Sequence, residues 1–237
     1  RSLLQPTPHP LWVERMLDNL SSSWERACWP SLFADTVAGR HPPLSYWQRA
    51  LAHFFIIVEN FPKYMGLTLA KTTYGRRHGD ASVRRWLLKN LGVEAKHAEW
   101  YVDWMRGAGV IPEAVFHMKP ADEIGELHDH LLETCRNGTL AEGVAASNWA
   151  IEGVTGVWAR AVASPFHAYA AEGVKTDERS MFWLAAHAAY DDHHPEEALE
   201  ILKLYVDPQT DDPTRVEAAA RRSLELFRQG MDRCMES

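Results

Sequence analysis

Long segments with helical periodicity, separated by clusters of glycine and proline, limit the folds open to this chain more than any other feature. Clear breaks fall at GRHPPLS (39–45), RHGDAS (77–82) and DPQTDDP (207–213). No segment between the breaks alternates apolar and polar residues as a half-buried strand does. The sequence therefore predicts an all-α bundle in one domain, residues 1–237. The predicted helices cover about 10–38, 45–74, 80–108, 121–136, 139–163, 177–194, 195–206 and 214–235.

Composition excludes two classes of partner. The net charge is −7, and no stripe of Lys and Arg interleaves with aromatic residues, so we expect no nucleic-acid partner. The longest strongly apolar run, FFIIV at 54–58, is too short to span a membrane. The three scattered cysteines predict reduced thiols in a cytoplasmic protein. Ten tryptophans predict a tightly packed interior or an apolar pocket.

The segment HAAYDDHH at 187–194 has the composition of a metal site. On a continuous helix, at about 100° per residue, His187, Asp191 and His194 share one face, while Asp192 and His193 point elsewhere. The ligand pattern would then be H-x-x-x-D-x-x-H. A solvated helix end is the competing interpretation, because His and Asp are common there.

Three further segments offer carboxylate and imidazole partners. In VEAKHAEW at 93–100, Glu94 and His97 have the i, i+3 spacing of neighbours on a helix face. Glu59 follows the apolar run at 54–58, where a buried carboxylate needs a partner. Glu152 lies among the apolar residues of NWAIEGVTGVW at 148–158, and its neighbour Gly153 predicts a close approach to the helix backbone. Each residue alone also fits an exposed position.

Together these residues form a donor set for a dinuclear site. Four carboxylates balance two divalent ions, and mixed oxygen and nitrogen ligation without cysteine suits iron or manganese. Ferritin-like bundles use two E-x-x-H motifs, whereas this chain has one together with the H-x-x-x-D-x-x-H pattern. The predicted ligands are Glu59, Glu94, His97, Glu152, His187, Asp191 and His194.

Longer segments around these residues resemble a known family. They are RRWLLKNLGVEAKHAEWYV (84–102), NWAIEGVTG (148–156) and HAAYDDHHPEEALEIL (187–202), with VENFPKYM (58–65) similar too. The chain resembles the haem-oxygenase-like di-iron oxidases, in particular the members that convert a medium-chain fatty acid to a terminal alkene. The resemblance extends over about residues 45–206.

The resemblance implies a haem-oxygenase-like, TenA-like bundle of seven helices that binds two Fe(II) ions, one of them labile, through the same seven residues. The implied activity is O2-dependent, non-haem oxidative decarboxylation, for example of lauric acid to 1-undecene and CO2, with an external electron donor as a candidate partner. We expect Glu94, Glu152 and Asp191 to be catalytic. We expect Trp149 and Trp158 to line the substrate pocket.

Other functions remain open at this stage. The same fold could oxidise an amino acid by N-oxygenation or C–C cleavage, for which Lys96 and Arg160 are candidate polar contacts. A TenA-like, metal-free hydrolase would use a cysteine nucleophile, and Cys135 is the candidate. A protein that stores metal without catalysis is the third alternative.

Overall fold

Helices make up most of the chain, which confirms the predicted all-α fold. The computed structural model describes residues 4–190 and 194–236, except the side chains of Tyr190 and His194, and the described residues contain no strand. A π-helical segment (Ala145–Glu152) joins α8 to α9, and a 3-10 helix (Pro165–Glu172) follows α9. The α-helices are α1 (Leu11–Cys28), α2 (Ser31–Val37), α3 (Leu44–Leu69), α4 (Asp80–Glu94), α5 (His97–Gly107), α6 (Pro112–Val115), α7 (Asp122–Asn137), α8 (Leu140–Val144), α9 (Gly153–Ala163), α10 (Glu178–Tyr190), α11 (His194–Tyr205) and α12 (Pro213–Arg233).

Two predicted helices are each divided in two. The first divides at Pro30, between α1 and α2, because proline lacks the amide hydrogen that would continue α1 and disfavours a helical conformation at the residue before it. The predicted helix over 80–108 divides between Glu94 and His97. Those two residues therefore lie at the end of α4 and the start of α5, and not on one continuous helix.

Pro62 lies inside α3 without ending it. This helix begins at Leu44, with Pro43 in the capping position, and it ends at Leu69. Phe54, Ile57, Val58 and Phe61 follow the spacing of one helix face. The side chains of all four are buried.

The π segment lies at the centre of the bundle, packed against α11 and α12. All eight of its residues are buried, as expected for a helix that is apolar on every side. Helix α10 packs against α5 and α9, and α3 packs against α4, α5 and α7. The ends of α4 and the π segment, the start of α5 and the middle of α10 thereby meet inside the protein. No helix within the described ranges has the length and apolar character needed to cross a membrane.

Candidate metal centre

Four of the seven predicted ligands line one internal cavity, which we call the Glu/His cavity. Glu94, His97, Glu152 and His187 are each only 6% exposed, and all four border the cavity. The cavity holds about 30 Å³ of space for small molecules, enough for one or two waters. Its other walls are mostly apolar and consist of Phe54, Ile57, Val58, Phe61, Ile151, Thr155 and Trp183.

Glu94 and His97 bond to each other across the break between α4 and α5. Nδ1 of His97 lies 2.8 Å from Oε2 of Glu94. The ring of His97 also lies close to the ring of His187, with 4.6 Å between their centroids. The break in the helix thus places one carboxylate and two imidazoles at the same end of the cavity.

The ring of His187 is fixed by its own helix. Its Nδ1 lies 2.8 Å from the carbonyl oxygen of Trp183, one turn earlier. Because a carbonyl can only accept, Nδ1 carries the hydrogen, and the ligating lone pair of the neutral ring is on Nε2. The indole of Trp183 packs on the same ring, with the centroids 3.9 Å apart.

Two polar residues that the sequence analysis missed orient Glu152. Asn148 donates from Nδ2 to Oε2 of Glu152 at 2.8 Å. Ser147 donates to the Asn148 side-chain oxygen at 3.2 Å and to the Gly143 carbonyl at 2.7 Å. Ser147 and Asn148 are fully buried. Adjacent polar residues within an otherwise apolar run, one of them four positions before the glutamate, were the signal available in the sequence.

The predicted close approach to the backbone is confirmed at Gly153. A Cβ there would lie 2.5 Å from the Trp24 ring and 3.2 Å from the Pro195 ring. Since Pro195 belongs to the first turn of α11, the absence of a side chain lets this turn pack directly beside Glu152.

Glu59 does not border the Glu/His cavity, so the structure does not bring this predicted ligand together with the other four. Its side chain is exposed and lies in a separate surface pocket with Glu99, Asp103 and Arg106. The reason is the phase of α3. The cavity-lining face recurs every three to four residues through Phe54–Phe61, and position 59 falls outside that stripe.

The two tryptophans predicted to line a substrate pocket pack against other aromatic rings of the core. Trp149 packs on Trp24, with 4.8 Å between ring centroids. Trp158 stacks on Phe33 at 4.4 Å. Neither borders the Glu/His cavity, whose described walls include a different tryptophan, Trp183.

The remaining predicted ligands cannot be placed. Asp191 lies outside the described residues, as do Asp192 and His193, and only the backbone of His194 is described.

The residue types of the donor set fit iron, although the four side chains do not form a ready binding group for an ion. Within residues 4–190 and 194–236, no group of three or more His, Cys, Asp or Glu side chains is close enough to hold a metal. One reason is that Glu94 and His97 bond to each other. Two carboxylates and two imidazoles without a thiolate are the ligands of non-haem iron sites. We expect an ion bound here to replace the contact between Glu94 and His97.

Cys135 lacks the features of a nucleophile. The residue is fully buried and is absent from the described lining of the Glu/His cavity. Burial raises the pKa of its thiol, and hydrogen bonds with Thr68 and Ser147 oppose that rise only in part. A reactive cysteine needs a lowered pKa and access to solvent or substrate.

Comparison with known proteins finds one matching family. The family model of iron-containing redox enzymes matches residues 48–228, which is most of the chain. A search of the curated proteins finds no match.

Several solved structures share the fold. A TenA homologue from Pseudomonas syringae pv. tomato is 31% identical, with a TM-score of 0.88 over 99% of this chain and 96% of that one. A domain of unknown function with a haem-oxygenase-like fold from Shewanella denitrificans is 18% identical, with a TM-score of 0.74 over 94% and 91% of the two chains. A TenA family transcription regulator from Silicibacter sp. is 13% identical, with a TM-score of 0.71 over 97% and 99%. The last two likenesses concern the fold alone.

Proposed function

Because this chain belongs to the family of iron-containing redox enzymes, we propose that it is a non-haem iron oxidase that uses O2 to decarboxylate a medium-chain fatty acid. The product would be a terminal alkene, with lauric acid giving 1-undecene and CO2. The observation that carries the proposal is the Glu/His cavity, in which two carboxylates and two imidazoles lie against apolar walls.

The cavity walls favour a fatty acid over an amino acid. The ammonium group of an amino acid needs a buried acceptor or counter-charge, and the described walls hold no acidic residue besides the two candidate ligands. The described walls also lack Lys and Arg, and Lys96 and Arg160 are exposed. An apolar chain next to a metal-bound carboxylate suits these surroundings.

In this proposal Glu94, His97, Glu152 and His187 hold iron, and Asp191 and His194 complete the set for two ions. When bound, iron would supply O2 activation, the chemistry needed to remove hydrogen from C3 of the fatty acid. Asn148 and the Trp183 carbonyl keep Glu152 and His187 oriented for binding. The apolar walls exclude water and hold the alkyl chain beside the reacting carbons.

Electron counting supports the need for a reductant. Oxidative decarboxylation of a saturated acid to an alkene releases two electrons, and reduction of one O2 to two waters uses four. The other two electrons come from outside the substrate. An external electron donor therefore belongs to the proposal.

The size of the cavity adds a structural requirement. Its volume of about 30 Å³ is far below that of a twelve-carbon acid. The walls must move apart when the substrate binds, and α3 supplies four of them: Phe54, Ile57, Val58 and Phe61.

A headspace assay tests the proposal. The full chain is loaded with Fe(II) and given O2, a chemical reductant and lauric acid, and 1-undecene is measured by gas chromatography. We expect the alkene from the wild-type protein and from Glu59→Gln, and none from Glu94→Gln. Turnover of amino acids without any alkene from acids of different length would reject the fatty acid as substrate while leaving an iron oxidase.

A further inference from the structure

Three buried tryptophans connect the Glu/His cavity with the opposite side of the aromatic core. Trp183 packs on His187, with 3.9 Å between centroids. Trp104 stacks on Trp183 at 5.3 Å with an interplanar angle of 18°, and Trp47 follows Trp104 at 6.2 Å. The last two of these contacts join neighbouring indoles, which are the most easily oxidised aromatic side chains in proteins.

The outer end of this series lies close to the surface. Phe166 contacts both Trp47 and Tyr169, with ring centroids 5.2 and 5.3 Å away. Burial raises the pKa of Tyr169, and hydrogen bonds with Thr36 and Trp47 oppose that rise, so the phenol lies beside the Trp47 indole. The ring of His41 stacks on Tyr169 at 4.3 Å. The His41 side chain is 43% exposed, so a partner in solution can reach this end.

A second branch from Trp183 does not reach the same end through tryptophans. Trp158 lies 5.9 Å from Trp183, but Phe33 stands between Trp158 and Trp47, at 4.4 and 5.5 Å from their rings. Phenylalanine is much harder to oxidise than tryptophan. Trp158 therefore resembles Trp104 in being buried and in contacting Trp183. It lacks the contact with Trp47 that stepwise electron transfer between tryptophans requires.

The surroundings of the indoles favour movement of electrons without protons. Among the described residues, the indole N–H groups of Trp104 and Trp183 have no hydrogen-bond partner. The N–H of Trp47 donates to the hydroxyl of Thr36 at 3.1 Å, which is a weak base. An oxidised indole at these positions keeps its proton, so the electron vacancy can pass to the next ring and is not trapped as a neutral radical.

We propose that Trp183, Trp104 and Trp47 form an electron relay between the His41 surface and the Glu/His cavity. The relay rests on the proposed function, which requires two electrons per turnover from outside the substrate. The donor is a one-electron reductant such as a reduced flavin or an iron–sulfur protein. For each electron, the donor is oxidised once and the metal centre is reduced once, after O2, the oxidant of the proposed function, has oxidised that centre. Each tryptophan gives one electron inwards and regains one from outside, so none changes overall.

Photo-oxidation of the full chain without metal tests the relay independently of catalysis. Glu172 contacts His41 at 2.7 Å and is exposed, so a Glu172→Cys variant can carry a ruthenium photo-oxidant at the surface end. The native cysteines are all buried and should resist labelling. Flash-quench oxidation would be followed by transient absorption of tryptophan radicals. Oxidation products would be located by mass spectrometry of the tryptic peptide 180–203, in which Trp183 is the only tryptophan.

We expect oxidation products at Trp183 in the labelled parent and in the control Trp158→Phe. We expect their loss in Trp104→Phe and in Trp47→Phe, both checked for native folding by circular dichroism and thermal unfolding. Two positions are substituted separately, so that loss of oxidation in both variants is not explained by structural damage at one of them. Equal oxidation of Trp183 in all four proteins, or its loss in Trp158→Phe as well, would overturn the relay.

A second measurement uses the iron-loaded chain. Oxygen consumption by this protein, supplied with lauric acid and a one-electron reductant, should slow roughly tenfold in Trp104→Phe and little in Trp158→Phe. Equal rates in both would overturn the relay. Transfer to Trp183 in the metal-free chain, combined with no alkene from the loaded chain, would reject the proposed function and support the relay.

Discussion

Asn148→Ala is the substitution that most directly tests how the cavity holds a metal. The amide of Asn148 donates to Glu152 at 2.8 Å with both side chains buried. Loss of such an outer partner typically lowers metal affinity 10- to 100-fold, which corresponds to about 1.4–2.7 kcal/mol. Without metal, losing a hydrogen bond to a charged group costs about 1.5–3 kcal/mol of folding stability.

Anaerobic titration calorimetry with Fe(II) and urea unfolding of the metal-free protein measure the two effects. Asn90→Ala is the matched control, because Asn90 is also a buried amide and its Nδ2 has no hydrogen-bond partner among the described residues. We expect weaker iron binding in Asn148→Ala and unchanged binding in Asn90→Ala. Unchanged iron affinity in a folded Asn148→Ala protein would refute the role of Asn148 in orienting Glu152.

Three further predictions concern other parts of the protein. Gly153→Ala should lower the urea midpoint of unfolding. A Cβ 2.5 Å from the Trp24 ring costs about 1–3 kcal/mol, which opposes the helix-propensity gain of about 1 kcal/mol. An unchanged midpoint would contradict the packing. Burial tends to raise the pKa of Asp80, but hydrogen bonds from Thr73, Tyr205 and the Arg77 backbone lower it to about 2. Its contribution to stability should therefore be lost as pH falls from about 4 to 2, and Asp80→Asn should remove that part of the acid sensitivity in thermal melts. Cys135→Ala should keep the activity, and a loss of activity in a folded variant would revive the cysteine nucleophile.

The sequence predicted most helices because glycine and proline mark their ends. It could not predict the break between α4 and α5, since Ala95 and Lys96 both favour helix and only the surrounding packing can impose the turn. The π-helical segment could not be predicted either, because its residues do not differ in helix propensity from those of an ordinary buried α-helix.

Apolar surroundings indicated the candidate site better than helix phase did, since the i, i+3 spacing of Glu94 and His97 spans the break between α4 and α5. Glu94, His97, Glu152 and His187 border one cavity, as their apolar surroundings suggested. Glu59 was selected for its apolar neighbours and for the family resemblance of residues 58–65, although the phase of the α3 stripe places it outside the cavity.

Roles that depend on side-chain direction could not be predicted from the sequence. Tryptophans 149 and 158 flank Glu152 in the sequence but pack into the core on other faces. Trp183 is 31 residues away from Glu152 in the sequence and forms part of the cavity wall. Proximity along the chain is a poor guide to the lining of a cavity that six helical segments build.

Anomalous diffraction at the iron edge, from crystals of the full chain grown anaerobically with Fe(II), tests the central claim most directly. We predict a peak inside the Glu/His cavity, with Glu94 and His97 turned from each other towards it, and no such peak in crystals of Glu94→Gln. Iron bound only in the surface pocket of Glu59, or an empty cavity in crystals of a protein that retains iron, would contradict the account.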